Sequence, residues 1–189
     1  MTRADVAAWH AFAAAMTGAN AALAGLVFVA VSINIRRILG VPRLPGRAGE
    51  TVILFLGALC ECALVLIPHQ PVTALGVELL TTGILASAVL GAIVLPALGA
   101  PARQPLSWQL TRLITGLTAT APVILAGCSV IGWIPGGLYW LAVGVLCAVI
   151  TASANAWVLL VEVVRDERYG PPADPPSQAA RDGPSEQLG

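Results

Sequence analysis

Five long apolar stretches, at about 12–35, 51–67, 72–98, 110–133 and 138–164, take up most of this 189-residue chain. A hydrocarbon layer of ~30 Å is crossed by about 20 residues of helix rising 1.5 Å each, so every stretch is of spanning length. The bulk composition agrees. Hydrophobic residues make up 57% and charged residues 11%, and the mean hydropathy of +0.83 is far from the mixture a water-soluble domain carries. The predicted fold class is all-α, a polytopic bundle of five transmembrane helices.

All ten basic residues are arginine, and their positions predict how the chain is threaded. Arg3 precedes the first span. Arg36, Arg37, Arg43 and Arg47 lie between spans one and two, Arg103 and Arg112 between three and four, and Arg165, Arg168 and Arg181 after five. The turns Pro68-His69-Gln70-Pro71 and Ile134-Pro135-Gly136-Gly137 hold none. The positive-inside rule then puts the N-terminus outside and the C-terminus in the cytoplasm, as an odd number of spans requires. Trp9, Trp133, Tyr139 and Trp140 gather at the outer boundary and Trp108 and Tyr169 at the inner one, where amphipathic rings settle. The small-residue stretch Ala11–Ala15 precedes the apolar run rather than following it, so the first span is expected to stay rather than be cleaved. The predicted parts are a short extracytoplasmic N-terminus (1–10), a five-helix membrane domain (11–168) and a disordered, Pro-rich cytoplasmic tail (169–189). Residues 40–50, with Pro42, Pro45, Gly46 and Gly49, read as a basic loop. The absence of lysine beside abundant Ala, Gly, Val and Leu points to GC-rich bacterial coding, hence a multi-pass protein of the bacterial inner membrane.

Most chemistry has no foothold in this chain. A formal net charge of zero implies no nucleic-acid partner. Cys60, Cys62, Cys128 and Cys147 all fall in apolar runs, and residues two apart on a helix diverge by about 200°, so Cys60 and Cys62 cannot chelate one metal and no disulfide framework is expected. His10 and His69 both map to the outer surface, away from any midplane haem site. There is no G-x-S-x-G, H-E-x-x-H or C-x-x-C and no phosphate-binding glycine loop. No cofactor, metal or catalytic residue is assigned, and the chain is read as no enzyme.

What needs explaining is the ionisable residues within the spans, since a charge at bilayer depth costs about 2.5–3.5 kcal/mol on insertion scales. Glu61 lies six residues before the end of span two and Glu78 six residues into span three, which sets both roughly 9 Å below the outer boundary. Facing a shared interior, they would share one proton. This pair is either a proton or ion site on a translocation path, or a structural pair hydrogen-bonded to Thr or backbone, with Thr81, Thr82, Thr118 and Thr120 as partners. Pro122 should kink span four under either reading. Near the cytoplasmic face, Glu162 is expected in an ion-pair cluster with Arg36, Arg37, Arg112 and Arg165 that clamps spans one and five, with Asn34 and Asn155 adding hydrogen bonds. Anionic lipid is the alternative partner of those arginines. Small residues four apart, in Gly18-xxx-Ala22, Gly83-xxx-Ser87-xxx-Gly91 and Ala152-xxx-Ala156, mark packing faces within the chain or toward a second copy.

The run from Gly25 through Asn34 to Ile38, with Leu75-Gly-Val-Glu78-Leu-Leu and Asn155-Ala-Trp-Val-Leu-Leu-Val-Glu162, resembles a group of small bacterial five-span membrane proteins that carry no assigned activity. The resemblance implies the five spans and no chemistry. Two functions remain open. One is a non-enzymatic scaffold or accessory subunit that binds a membrane partner or lipid. The other is a small oligomeric channel or proton-linked transporter that uses Glu61 and Glu78.

Overall fold

The computed structural model describes residues 2–40, 44–98 and 106–169, with the side chains of 3, 4, 95–98, 106–109 and 162–169 outside the description. Every regular element among the described residues is helical: α1 (Arg3–Ala7), α2 (His10–Ile33), α3 (Ile35–Gly40), α4 (Leu44–Val65), α5 (Val72–Leu98), α6 (Leu106–Ile131) and α7 (Tyr139–Tyr169). Five of them, α2, α4, α5, α6 and α7, are long and apolar enough to cross a membrane. The chain is a five-helix membrane bundle. Helices satisfy their own backbone groups, which a medium without hydrogen-bonding partners demands.

The helices alternate in direction. One end of the bundle holds the tight turns at 66–71 and 132–138, and the other, here the arginine end, holds α3 and Arg112. At the turn end, α6 stops at Gly132, whose φ of 102° lets Trp133 N–H reach back to Cys128 O at 2.9 Å. Ser129 ties that turn shut: its hydroxyl donates to Ile134 O at 2.8 Å and accepts Gly137 N–H at 2.6 Å. Trp9 meets Tyr139 edge to face at 4.8 Å, so aromatic rings do collect at this end. α1 opens with a reciprocal cap, in which Thr2 N–H donates to Asp5 Oδ2 at 2.7 Å and Asp5 N–H to Thr2 Oγ1 at 3.3 Å.

α4 is the hub, packed on α2, α5 and α7, with 50% of its span buried. α2 leans mainly on α4 through Ala13, Asn20 and Ala24, and only 11% of its span is buried. The most extensive contact is between α5 and α6. Glycine makes it possible. A Cβ on Gly127 would lie 2.6 Å from Leu80 N and 2.8 Å from Gly76 O, so the two backbones touch there. Gly83, against Ile124, and Gly144, against Val123 and Ala119 O, repeat the device. The Gly83 face therefore packs within the chain. Around Gly18, by contrast, a Cβ would meet nothing within 4 Å, and Ala22 beside it is exposed.

One expectation fails outright. The stretch 40–50, read as a loop, is helical from Leu44, and Leu44, Arg47, Ala48 and Glu50 are buried. Pro45 sits in the first turn, where its missing N–H leaves no helix bond unmade, so it starts the helix instead of breaking it. Leu44 and Ala48 pack with Ile38 and Leu159 into a small second core at the arginine end. The tail, residues 170–189, and the turn at 99–105 lie outside the described residues, as do the side chains of Trp108 and Tyr169.

Candidate polar site along helix α4

Glu50, Leu54, Gly57 and Glu61 recur at intervals of four, three and four, which places them on one face of α4. Eleven residues of helix separate the two acids by roughly 16 Å along the axis. That face looks onto two cavities. The one nearer the arginine end has Glu50, Arg112, Ser87, Thr120 and Asn155 in a wall that is otherwise mainly aliphatic. The other, smaller, is lined by Gly57, Ala58, Glu61, Thr120 and Ala148 among others. Leu54, Leu90 and Thr120 belong to both walls, so the cavities adjoin across them.

The two acids of this face have opposite surroundings. Glu50, with its side chain 6% exposed, is held by the Arg112 guanidinium on α6: Nη2 donates to Oε1, and Nε to Oε2 at 3.3 Å. Two-point contact of this kind compensates a buried charge. Glu61 is 4% exposed, and among the described residues no hydrogen bond reaches its carboxyl. Between them, Ser87 Oγ donates to Thr120 Oγ1 at 2.8 Å, and the Thr120 hydroxyl also lies 3.2 Å from Gly116 O.

Glu61 and Glu78 do not meet as a hydrogen-bonded pair among the described residues. Glu78, half-buried on α5, accepts a hydrogen bond from Gln70 Nε2 in the turn that His69, at φ 59°, helps to fold. Thr81 and Thr82 donate to the backbone carbonyl of Glu78, at 3.0 and 2.8 Å, and not to its carboxylate. Thr118 donates to Thr115 O at 2.8 Å, a bond within α6.

Of the arginine cluster, Arg36 and Arg37 are exposed on α3, and Arg37 is engaged in an interaction of its own. Arg112 is bound to Glu50. The side chains of Glu162 and Arg165, the remaining members, lie outside the described residues. Asn34 donates to Ala30 O at 2.9 Å, within its own stretch of chain, and Asn155 lines the larger cavity. Sequence reasoning missed Glu50 because it sat at the end of an assumed loop, and missed Gln70 because a turn glutamine carries no signal of its own. The 62-residue separation of Glu50 from Arg112 offered no local pattern to read.

Among the described residues, no group of three or more His, Cys, Asp or Glu is placed to hold a metal ion. Compared with protein-family models, with curated proteins and with solved structures, the chain has no match.

Proposed function

We propose that this protein is a non-enzymatic scaffold or accessory subunit of the bacterial inner membrane, threaded with its N-terminus outside, that binds a membrane partner or lipid. The observation that carries the reading is backbone contact at Gly127, where Leu80 N would lie 2.6 Å from any added carbon. At that level the two helices leave no room for a solute between them, and the two cavities lie toward the arginine end. The broad uncovered surface of α2, including Leu26, Phe28 and Ile33, is open to acyl chains or to a partner helix.

Extraction of the full chain from its native membrane in polymer-bounded lipid discs tests this reading. A stoichiometric membrane protein or a selectively enriched lipid is expected to accompany it. Recovery of the chain with bulk lipid alone counts against the scaffold role. A second reading, a small oligomeric channel or proton-linked transporter, is favoured by the buried Glu61, whose carboxyl no hydrogen bond reaches among the described residues. It requires proton or cation flux in proteoliposomes that Glu61→Gln or Glu78→Gln alters, and flux equal to that of protein-free vesicles eliminates it.

A further inference from the structure

We propose that Glu61 is a proton-binding site served from the arginine end of the bundle through the two adjoining cavities, with Thr120 as the polar step between them. The idea deepens the transporter reading in naming the ligand, yet it needs no net flux. A site loaded and emptied from one side binds a proton without carrying it across.

Three observations converge on it. Glu61 is 4% exposed and has no hydrogen-bond donor among the described residues, and an uncompensated charge buried at such depth is costly. Its wall is otherwise apolar or small, from Gly57, Ala58 and Ala148, so among the described residues the one other polar side chain in that wall is Thr120. Finally, Thr120 also borders the larger cavity, whose far wall carries the Glu50–Arg112 pair. That pair puts fixed charge at the wall of an otherwise mainly apolar cavity, and a charged pair with Ser87 and Thr120 in the same wall gives a single water the polar partners it needs.

The step is a simple protonation. A hydronium ion in the cavity gives its proton to a Glu61 carboxylate oxygen, an O–H bond forms there, and water is left; no electrons are exchanged. A lone carboxyl without further oxygen ligands suits a proton and not a divalent cation, which takes six or more. Among the described residues, the titratable and charged side chains on the elements packed against α4 are His10 on α2, Arg36 and Arg37 on α3, Glu78 on α5, and Tyr139 and Cys147 on α7, and α6, which shares the cavity wall, adds Arg112 and Cys128. Of these, Arg112 is bound to Glu50 and Glu78 to Gln70. Cys60 and Cys62 flank Glu61 on α4 itself.

Infrared titration of the full chain in lipid nanodiscs tests the proposal, with protons as the only added ligand. A carboxylic-acid carbonyl band is expected near neutral pH, lost in Glu61→Gln and kept in Glu78→Gln. In Glu61→Asp it should return at a shifted frequency, which keeps the assignment open to test even if the glutamine variant does not fold. Transfer to heavy water should deuterate the band, and Thr120→Val, which keeps the shape and removes the hydroxyl, should slow that exchange about tenfold. A wild-type band that is absent, or that Glu61→Gln leaves unchanged, overturns the site. Exchange indifferent to Thr120→Val overturns the route. Since the readout is a vibration and not transport, a null flux result leaves this test intact.

Discussion

Arg112 on α6 grips both carboxylate oxygens of Glu50 on α4, joining helices that α5 separates in the chain. With side chains only 16% and 6% exposed, each charge relies mainly on the other for compensation. Glu50→Gln or Arg112→Leu should each destabilise the bundle by about 3–5 kcal/mol, because each leaves one charge buried alone. Replacing both with apolar residues of similar volume should restore most of the loss. Steric-trapping or detergent unfolding of the four-variant cycle reads this, and additive losses would show that the two side chains do not interact.

Gly127 is expected to be intolerant of even one methyl group. Gly127→Ala must push α6 away from Leu80 and Gly76, and overpacking of this kind costs about 1–3 kcal/mol. Gly18→Ala, in open surroundings on α2, should be neutral or gain roughly 0.5–1 kcal/mol from helix propensity. Thermal denaturation in one detergent compares the two, and equal shifts would contradict the packing described.

Gln70 is the donor that Glu78 depends on. Gln70→Ala should cost about 1 kcal/mol and should cost little more when Glu78→Gln is already present, since the contact is by then altered. A double-mutant cycle measures the coupling.

At the N-terminus, Asp5 is held below the usual carboxylate range, first by the backbone N–H of Thr2 and then by its hydroxyl. A depressed folded pKa means that the cap contributes fully above the ordinary value of 3.8 and is lost as pH falls through the folded value. The Thr2 and Asp5 amide resonances should therefore shift together only in acid, below that value. In Asp5→Asn the same amides should be indifferent to pH across the window.

The spans were legible because hydropathy and length are properties of a single stretch of chain, and lipid imposes them without reference to neighbours. Turn chemistry was legible for the same reason, at Gly136-Gly137 and at Pro68-His69-Gln70-Pro71. The start of α4 was not. Pro45, Gly46 and Gly49 are loop formers by composition, and only packing of Leu44 and Ala48 against Ile38 and Leu159 makes a helix the better state. Depth along each helix was also readable, which is how Glu61 and Glu78 came to be paired. Azimuth was not, and it decides contacts: Glu61 turns to the cavity with Thr120, while Glu78 finds Gln70. Arg112 had a readable depth too, yet its pairing with Glu50 was not readable.

Asn20 carries a consequence for biosynthesis. It is fully buried against α4, yet its amide nitrogen already donates to Met16 O, 2.8 Å away on the same helix, and only its carbonyl oxygen goes without a partner. A nascent α2 in the bilayer thus shields half of this buried amide by itself before α4 is translated. α2 is thereby competent to wait in the membrane until α4, its docking partner, is made.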